Sequence, residues 1–421
     1  MVKRRASVSG FVPDLSTSPS TCSTEKPMSL YQPLAGVKVL DLTAVIMGPF
    51  GTQILADMGA EVTVVETPVG DANRHMGKGP HPDVSGVTLN LMRNKRSIVL
   101  DLRSDEGRTI FEKLVAESDV FVTNLRPGSR ERARVTPDDL RPLRPDLVWV
   151  AAAGYDPSSS DADAAAYDDI IQAATGFVDT NERSGLPPVM APILIADKVS
   201  GMALTQAVLA GLFHRERTGE GTDTVLAMYD MMRAFLLVEH GAEAIPEPQL
   251  SRAGYPRLLS AERRPLRTSD GGLVAILAYE RHHFEGLIRI GGRLEMLEDE
   301  RFVSRLGRLN NIDELYREYQ RIAETHTTQE FVDACAAAGV PVHEVVTLDD
   351  VTNSLPMTDH PRLGRYRMTP SLAPGVPVDA EPRRFAPVLG ENGREVLSEL
   401  GYSDEEIDEL ENSGVVGRYR S

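Results

Sequence analysis

Between residues 37 and 155 the chain repeats one pattern, a short run of apolar residues followed by a longer stretch with apolar positions at helical spacing. The runs are VKVLDLT (37–43), EVTVVE (61–66), SIVLDL (97–102), DVFVTN (119–124) and LVWVAAAGY (147–155). Between them lie GPFGTQILADMG (48–59), a helical stretch over 104–117 and a short helical piece near 129–142. Runs this continuously apolar suit strands buried on both faces, as in a parallel sheet covered by helices. Pro49 fits the first turn of its helix and Gly59 the end. Strands alternating with helices make the expected fold class α/β with a parallel sheet.

Further along, a helical region follows Asp197 to about Arg217, and GEGTDT (219–224) reads as a turn. The character changes in IPEPQLSRAGYPRLLSAERRPLRT (245–268), rich in Pro, Arg and Leu. TSDGGLVAILAY (268–279) then reads as a hairpin or a turn plus strand, helices follow to about 339, and GVPVHEVVTLDDV (339–351) reads as strand then helix. These segments form a smaller α+β domain. The tail carries a helix-turn-helix pattern with Gly401 as stop and Ser403 as cap. Residues 1–32, rich in Ser, Thr and Pro without apolar periodicity, read as a disordered extension, with Met28 a candidate start.

Composition removes several classes of function. A net charge of −17 argues against a nucleic-acid partner, which needs clustered Lys and Arg. No stretch approaches the roughly 20 uncharged apolar residues of a membrane helix. Cys22 and Cys335 make neither a disulfide framework nor a thiolate metal cluster, and the nine histidines show no zinc spacing. His282 and His283 read as a solvated pair, no metal is expected, and a reducing cytoplasm is the natural setting.

Four features could carry chemistry. The opening strand-turn-helix-strand, ending in Glu66, has the outline of a dinucleotide site, but its turn AVIMGPFG offers only Gly48 and Gly51. A parallel-sheet unit without a dinucleotide is therefore expected. Asp197 stands where the apolar ILIA gives way to a largely apolar helix. It reads either as the helix N-cap, accepting from the N–H of Val199 or Ser200, or as a nucleophile whose developing oxyanions meet backbone donors and the helix dipole. In AAAYDDIIQAATGF (164–177), Tyr167, Asp168 and Gln172 are either a site or the polar stripe of a helix with Ile170, Ile171 and Ala174 facing the core. Lastly, Lys95, Arg96, Arg103, Arg126, Arg130 and Arg132 fall near strand ends and could meet phosphates.

Segments spread from about 33 to 417 together resemble the family III CoA-transferases, a group that includes formyl-CoA:oxalate and carnitine CoA-transferases and the related α-methylacyl-CoA racemases. They are PLAGVKVLDLT with GPFGTQILADMGAEVTVVE, NKRSIVLDL, TNLRPGSRERA, AYDDIIQAATG, APILIADKVSGM, HRERTGEGTDTVLAMYD and PVLGENGREVLSELGYSDEEI. The resemblance implies that Asp197 is a nucleophile attacking an acyl-CoA thioester, with an aspartyl-CoA thioester as intermediate and a carboxylic acid as acceptor. It implies CoA contacts at Met47, Leu100, Asp101, Leu102, Arg103, Asn124, Leu125, Arg126, Arg132 and Tyr167. Coenzyme A enters as the acyl-CoA co-substrate, and no permanently bound cofactor is implied.

Two positions depart from particular branches. Ile46 stands where the oxalate-specific members carry Gln. Tyr167-Asp168 stands where the racemases carry His-Asp, and Tyr, with a reference pKa of about 10, is a poor base for α-proton exchange. Transferase chemistry is thus expected over the racemase or isomerase alternative. The implied fold is a Rossmann-like large domain with a parallel sheet plus a smaller α+β domain, two subunits interlocking as a homodimer. The implied division is a large CoA-binding domain over 33–230, a linker over 231–267, the small domain over 268–350, and a linker and return to the large domain over 351–421.

Overall fold

The structure is a computed structural model that describes residues 32–418. The extension expected over 1–32 lies, apart from Gln32, outside the described residues, as does Cys22. The first half alternates strand and helix: β1 (Lys38–Leu42), α1 (Met47–Asp57), β2 (Glu61–Glu66), α2 (Gly86–Leu91), β3 (Lys95–Val99), α3 (Asp105–Ala116) and β4 (Val120–Thr123). It continues through α4 (Pro127–Ala133), α5 (Pro137–Leu140), β5 (Val148–Ala153), α6 (Asp168–Ala174), α7 (Phe177–Arg183), α8 (Ile195–Thr218), β6 (Thr222–Ala227) and α9 (Met228–His240).

The six strands pair in parallel in the order β3-β2-β1-β4-β5-β6. Alternate residues of each run feed two cores. Val39, Val62, Val64, Val120 and Val150 pack with Ile54 and Leu55 of α1 and with Leu204 and Val208 of α8. Leu40, Ile98, Phe121 and Trp149 on the other face pack with Phe111 and Leu114 of α3. Full burial of one such side chain contributes roughly 1.5–3 kcal/mol, which explains why both faces of these strands are apolar.

The region 219–224 is not simply a turn, because TDTVLA is the sixth strand, paired to β5 from Thr222 to Ala227. Its burial alternates along the edge of the sheet, so its sequence lacks the continuous apolar run of an interior strand. The third strand also begins earlier than its apolar run suggests, at Lys95.

A separate apolar core follows, built on β7 (Leu266–Arg267), β8 (Leu273–Ile276), α10 (Arg281–Ile290), α12 (Ile312–Ala323), α13 (Thr328–Ala337) and β9 (Val342–Glu344), with the short α11 (Arg305–Asn310) between α10 and α12 in the chain. Its three strands form an antiparallel sheet. After α14 (Leu348–Asn353) and the hairpin β10 (Met357–His360)–β11 (Gly364–Arg367), the tail forms α15 (Gly393–Glu399) and α16 (Asp404–Ser413). Ser403 caps α16 with Glu406 in a reciprocal capping box, and Gly401 adopts φ +87° just past α15.

This tail lies against the first sheet. Val396, Leu397 and Ile407 join the α3 core, while Asn392 N–H donates to Ser97 O at 3.0 Å and Gly417 N–H to Val99 O at 3.1 Å. The open edge of β3 is thereby covered, which removes a row of unpaired backbone groups.

Candidate active site

Strand order reverses between β1 and β4, and loops leaving the carboxyl ends of those two strands diverge to opposite sides. Open α/β sheets bind ligands at such a switch point. Here it holds a cleft of about 260 Å³. Asn124, just past β4, fixes its base: Oδ1 accepts from Ala44 N–H at 3.0 Å and Nδ2 donates to Ala44 O at 2.8 Å. The next residue, Val45, has φ +70° and its N–H donates to Asp71 Oδ2 at 2.9 Å. A β-branched residue there carries about 1–3 kcal/mol of backbone strain, held by the surrounding contacts. Val45 and Asp71 had no sequence signal, because a left-handed backbone at valine contradicts propensity.

Asp197 lies on the cleft wall in the first turn of α8. It is not the N-cap. The helix begins two residues earlier, at Ile195, with Leu194 at the cap position and no side-chain bond from it. The exposed donors are served from another helix: Asp168 Oδ1 accepts from Ala196 N–H at 2.7 Å and Asp197 N–H at 3.1 Å. Asp168 Oδ2 accepts from Gln172 Nε2, and Gln172 Oε1 accepts from Ala191 N–H at 2.8 Å. Asp168 and Gln172 are thus the buried supports of the α8 start, not a polar stripe, while Ile170 is exposed and Ala174 lies outside the core.

The Asp197 carboxylate accepts no hydrogen bond among the described residues. Burial, and then the nearby Asp168 carboxylate, push its pKa up to about 6, against a smaller opposing pull from Lys198. Its half-buried oxygens are left free, more basic than an ordinary aspartate yet mostly ionised at neutral pH.

The cleft brings Met47, Asn124, Leu125, Arg126, Tyr167 and Asp197 together. Arg126 Nη1 donates to Asp163 O at 3.0 Å, tethering the segment that leads to Tyr167. Arg132 lies outside the lining, one turn beyond the lining Ser129, to whose hydroxyl it donates at 2.9 Å. Leu100, Asp101, Leu102 and Arg103 follow β3 at the same end of the sheet but do not line the cleft. Leu100 is buried, and the exposed Arg103 pairs with Asp101 at 2.9 Å.

Other cations do not sit where a phosphate could meet them. Lys95 and Arg96 open β3 rather than close it. Lys95 is buried, with Nζ donating to Thr52 Oγ1 at 2.7 Å and Pro49 O at 2.9 Å, and burial lowers its pKa against the raising charge of Asp41. Arg130 is buried with its guanidinium 5.5 Å from the Trp149 ring.

The dinucleotide outline is also explained by packing. A Cβ on Gly51 would lie 2.6 Å from Gly201 O, and one on Gly201 2.6 Å from Met47 O, so both glycines let α1 and α8 touch. Glu66 is buried against Arg74 at 2.5 Å and Ser97 at 2.6 Å, unavailable to a ribose.

A doubly wound sheet with a free carboxylate at its switch point defines an α/β enzyme architecture, and comparison with known proteins narrows it. The sequence model of CoA-transferase family III matches residues 34–392. The chain belongs to that family and is an enzyme of its class. It is 27% identical to the formyl-CoA:oxalate CoA-transferase of Shigella sonnei (strain Ss046) over 91% of this chain and 99% of that one. The same identity and coverage hold for the enzyme of that name from Escherichia coli O139:H28 (strain E24377A / ETEC). Among solved structures, a CAIB/BAIF family protein from Brucella suis superposes with TM-score 0.71 at 27% identity, covering 88% of this chain and all, 100%, of that one. Rv3272 from M. tuberculosis superposes with TM-score 0.71 at 28% identity, over 87% and 99% of the two chains. No helix among the described residues is long and apolar enough to cross a membrane.

Proposed function

We propose that this enzyme moves CoA from an acyl-CoA to a small carboxylic acid through Asp197. The observation that carries the reading is the Asp197 carboxylate, unbonded in the switch-point cleft with its pKa raised to about 6. One oxygen of Asp197 attacks the thioester carbonyl carbon, the C–S bond breaks, and CoA thiolate leaves a mixed anhydride. The thiolate then attacks the Asp197 carbonyl, releasing the first acid and forming an aspartyl-CoA thioester. The acceptor carboxylate repeats the two steps in reverse and restores Asp197. Proton balance is kept throughout, since each acid enters and leaves as its anion.

In this reading Met47, Asn124, Leu125, Arg126 and Tyr167 hold the thioester end of CoA. Leu100, Asp101, Leu102, Arg103 and Arg132 hold the nucleotide end. β3 and β4 are three strand spacings apart, about 14 Å, which an extended CoA can bridge along the carboxyl edge of the sheet. Ile46, buried beside the cleft loop, offers no hydrogen-bonding side chain, which argues against oxalate as the acceptor. The acid-base pair that α-proton exchange needs is not supported either, since the Asp168 carboxylate is taken up by the α8 start.

The functional unit in this reading is an interlocked homodimer. Phe213, Phe235 and Val238 on α8 and α9 are exposed, Val238 at 82%, a face a second copy would cover. With two cysteines in the chain, a cytoplasmic setting suits it.

Intact-protein mass spectrometry after incubation with an acyl-CoA tests the central step. Wild type should gain the mass of CoA less water, and Asp197→Asn should gain nothing while remaining folded. An adduct of equal yield on Asp197→Asn overturns the assignment.

A further inference from the structure

The loop between β1 and α1 supplies Ala44, Val45 and Met47 to the cleft that holds Asp197. Successive backbone N–H groups of this loop are held by side chains from β1, from the segment after β4 and from the segment after β2. Asp41 Oδ1 accepts from Thr43 N–H at 3.0 Å, Asn124 Oδ1 from Ala44 N–H at 3.0 Å, and Asp71 Oδ2 from Val45 N–H at 2.9 Å. The carbonyls of Ala44 and Val45 are taken as well, by Asn124 Nδ2 at 2.8 Å and by Asn73 Nδ2 at 3.4 Å.

The bond to Asp71 differs from the others in what it holds. Val45 has φ +70°, a backbone region that a β-branched residue leaves unless its surroundings keep it there. A return to negative φ would redirect the chain entering α1, and with it Met47, the first residue of that helix. Asp71 reaches Val45 across 26 residues and does not itself line the cleft. It also caps the short 3₁₀ turn over Ala72–His75, but that cap needs only one oxygen, Oδ1, which accepts from Asn73 N–H at 2.8 Å. The second oxygen is spent on the loop. The segment carrying Asp71 is fixed in turn: the buried Arg74 donates from Nε to Glu66 Oε2 at 2.7 Å and from Nη1 to Asp83 O at 2.9 Å, while Ser85 Oγ donates to Asn73 O at 2.6 Å. An acceptor mounted this firmly sets the position of the group it binds.

We propose that Asp71 is a positioning residue for the transfer reaction, holding Val45 in its left-handed conformation so that the loop seats the thioester carbonyl against Asp197. This role rests on Asp197 being the nucleophile, and it needs no contact between Asp71 and the substrate. Misplacing the reacting carbonyl is felt in the chemical step more than in binding of the distant nucleotide, so the loss falls on kcat rather than KM.

Amide hydrogen exchange and the rate of CoA-adduct formation test the role, the rate being read by quenched intact-protein mass spectrometry with acetyl-CoA as probe. In Asp71→Ala the peptide covering 43–47 should exchange faster, and the adduct should form about tenfold more slowly or worse at saturation, with half-saturation within about threefold of wild type. Asp71→Asn keeps one acceptor oxygen and should fall between the two. Val45→Gly added to Asp71→Ala should recover part of the lost rate, because glycine adopts positive φ without the clamp. A merely stabilising contact would lower the folded fraction, followed by circular dichroism, and leave the rate per folded molecule unchanged. If Asp71→Ala does not fold, the same comparison is made on Asp71→Asn with and without Val45→Gly. No adduct on wild type would overturn Asp197 as nucleophile and this role with it. An adduct formed as fast as in wild type, unchanged exchange over 43–47, a change in half-saturation alone, or no recovery with Val45→Gly would each overturn the role of Asp71 and leave Asp197 untouched.

Discussion

Asp168 and Asp197 share one helix start: the Oδ1 of Asp168 accepts the backbone N–H of Asp197 at 3.1 Å, so the two carboxylates are neighbours by construction. One is consumed by backbone donors and buried, and the other, among the described residues, has no hydrogen-bond partner for its carboxylate. The first therefore acts as a positioning residue that both holds α8 in place and makes Asp197 harder to ionise. Two carboxylates placed in different environments take different work.

The roles separate on substitution. Asp168→Ala removes two backbone acceptors and the Gln172 contact, and should cost about 2–3 kcal/mol in urea denaturation. Asp168→Asn keeps an acceptor oxygen and should cost less. Equal stability of Asp168→Ala and wild type would show that the α8 start does not depend on this contact.

Asp197 predicts a pH dependence in two readouts. Its carboxyl titrates near 6 in the folded protein against an ordinary value of 3.8, so the folded state binds its proton more tightly. Stability from this group is present below about 3.8 and is lost as pH rises through about 6. Asp197→Asn should thus match or exceed wild-type stability at neutral pH and lose that advantage in acid. In the proposed mechanism activity runs the other way, because there the ionised form attacks: kcat/KM for the acyl-CoA should rise with pH through about 6 and then level. In Asp168→Asn that acid limb should move to lower pH without reaching the ordinary carboxylate range, because burial remains. A limb that stays fixed in Asp168→Asn would remove Asp168 from the electrostatics of the site.

Close contact of α1 and α8 sets where Met47 and Asp197 stand. Gly201→Ala would press a methyl to within 2.6 Å of Met47 O, a backbone atom that cannot rotate away. A loss of roughly 1–3 kcal/mol is expected, with a raised KM for the acyl-CoA as the helices part. Chemical denaturation and steady-state kinetics on one preparation would check both.

Glu66 and Arg74 form an ion pair with side chains 2% and 0% exposed, and Arg74 also donates to Pro387 O at 3.1 Å. Glu66→Gln leaves the guanidinium buried without its counter-charge and should cost about 3–5 kcal/mol. A dinucleotide-site role for Glu66 would instead leave stability nearly unchanged.

The parallel sheet was legible in the sequence because burial on both faces forces continuous apolar runs, and β2 runs over Glu61–Glu66 as its sequence reads. Local chemistry was legible too, as with Ser403 and Gly401 around the two tail helices. Asp197 was conspicuous as a lone charge between apolar segments, but its environment was not legible. Asp168 reaches it across 29 residues, and spacing along a chain carries no information about partners brought together by folding. The same limit hid the burial of Lys95 beneath α1, the strained Val45 and the polar edge strand β6. Hydrophobic periodicity is a property of neighbours in sequence and reports each element's own surface. Which carboxylate accepts the α8 backbone donors and which faces the cleft depend on packing between elements, and only the tertiary structure decided them.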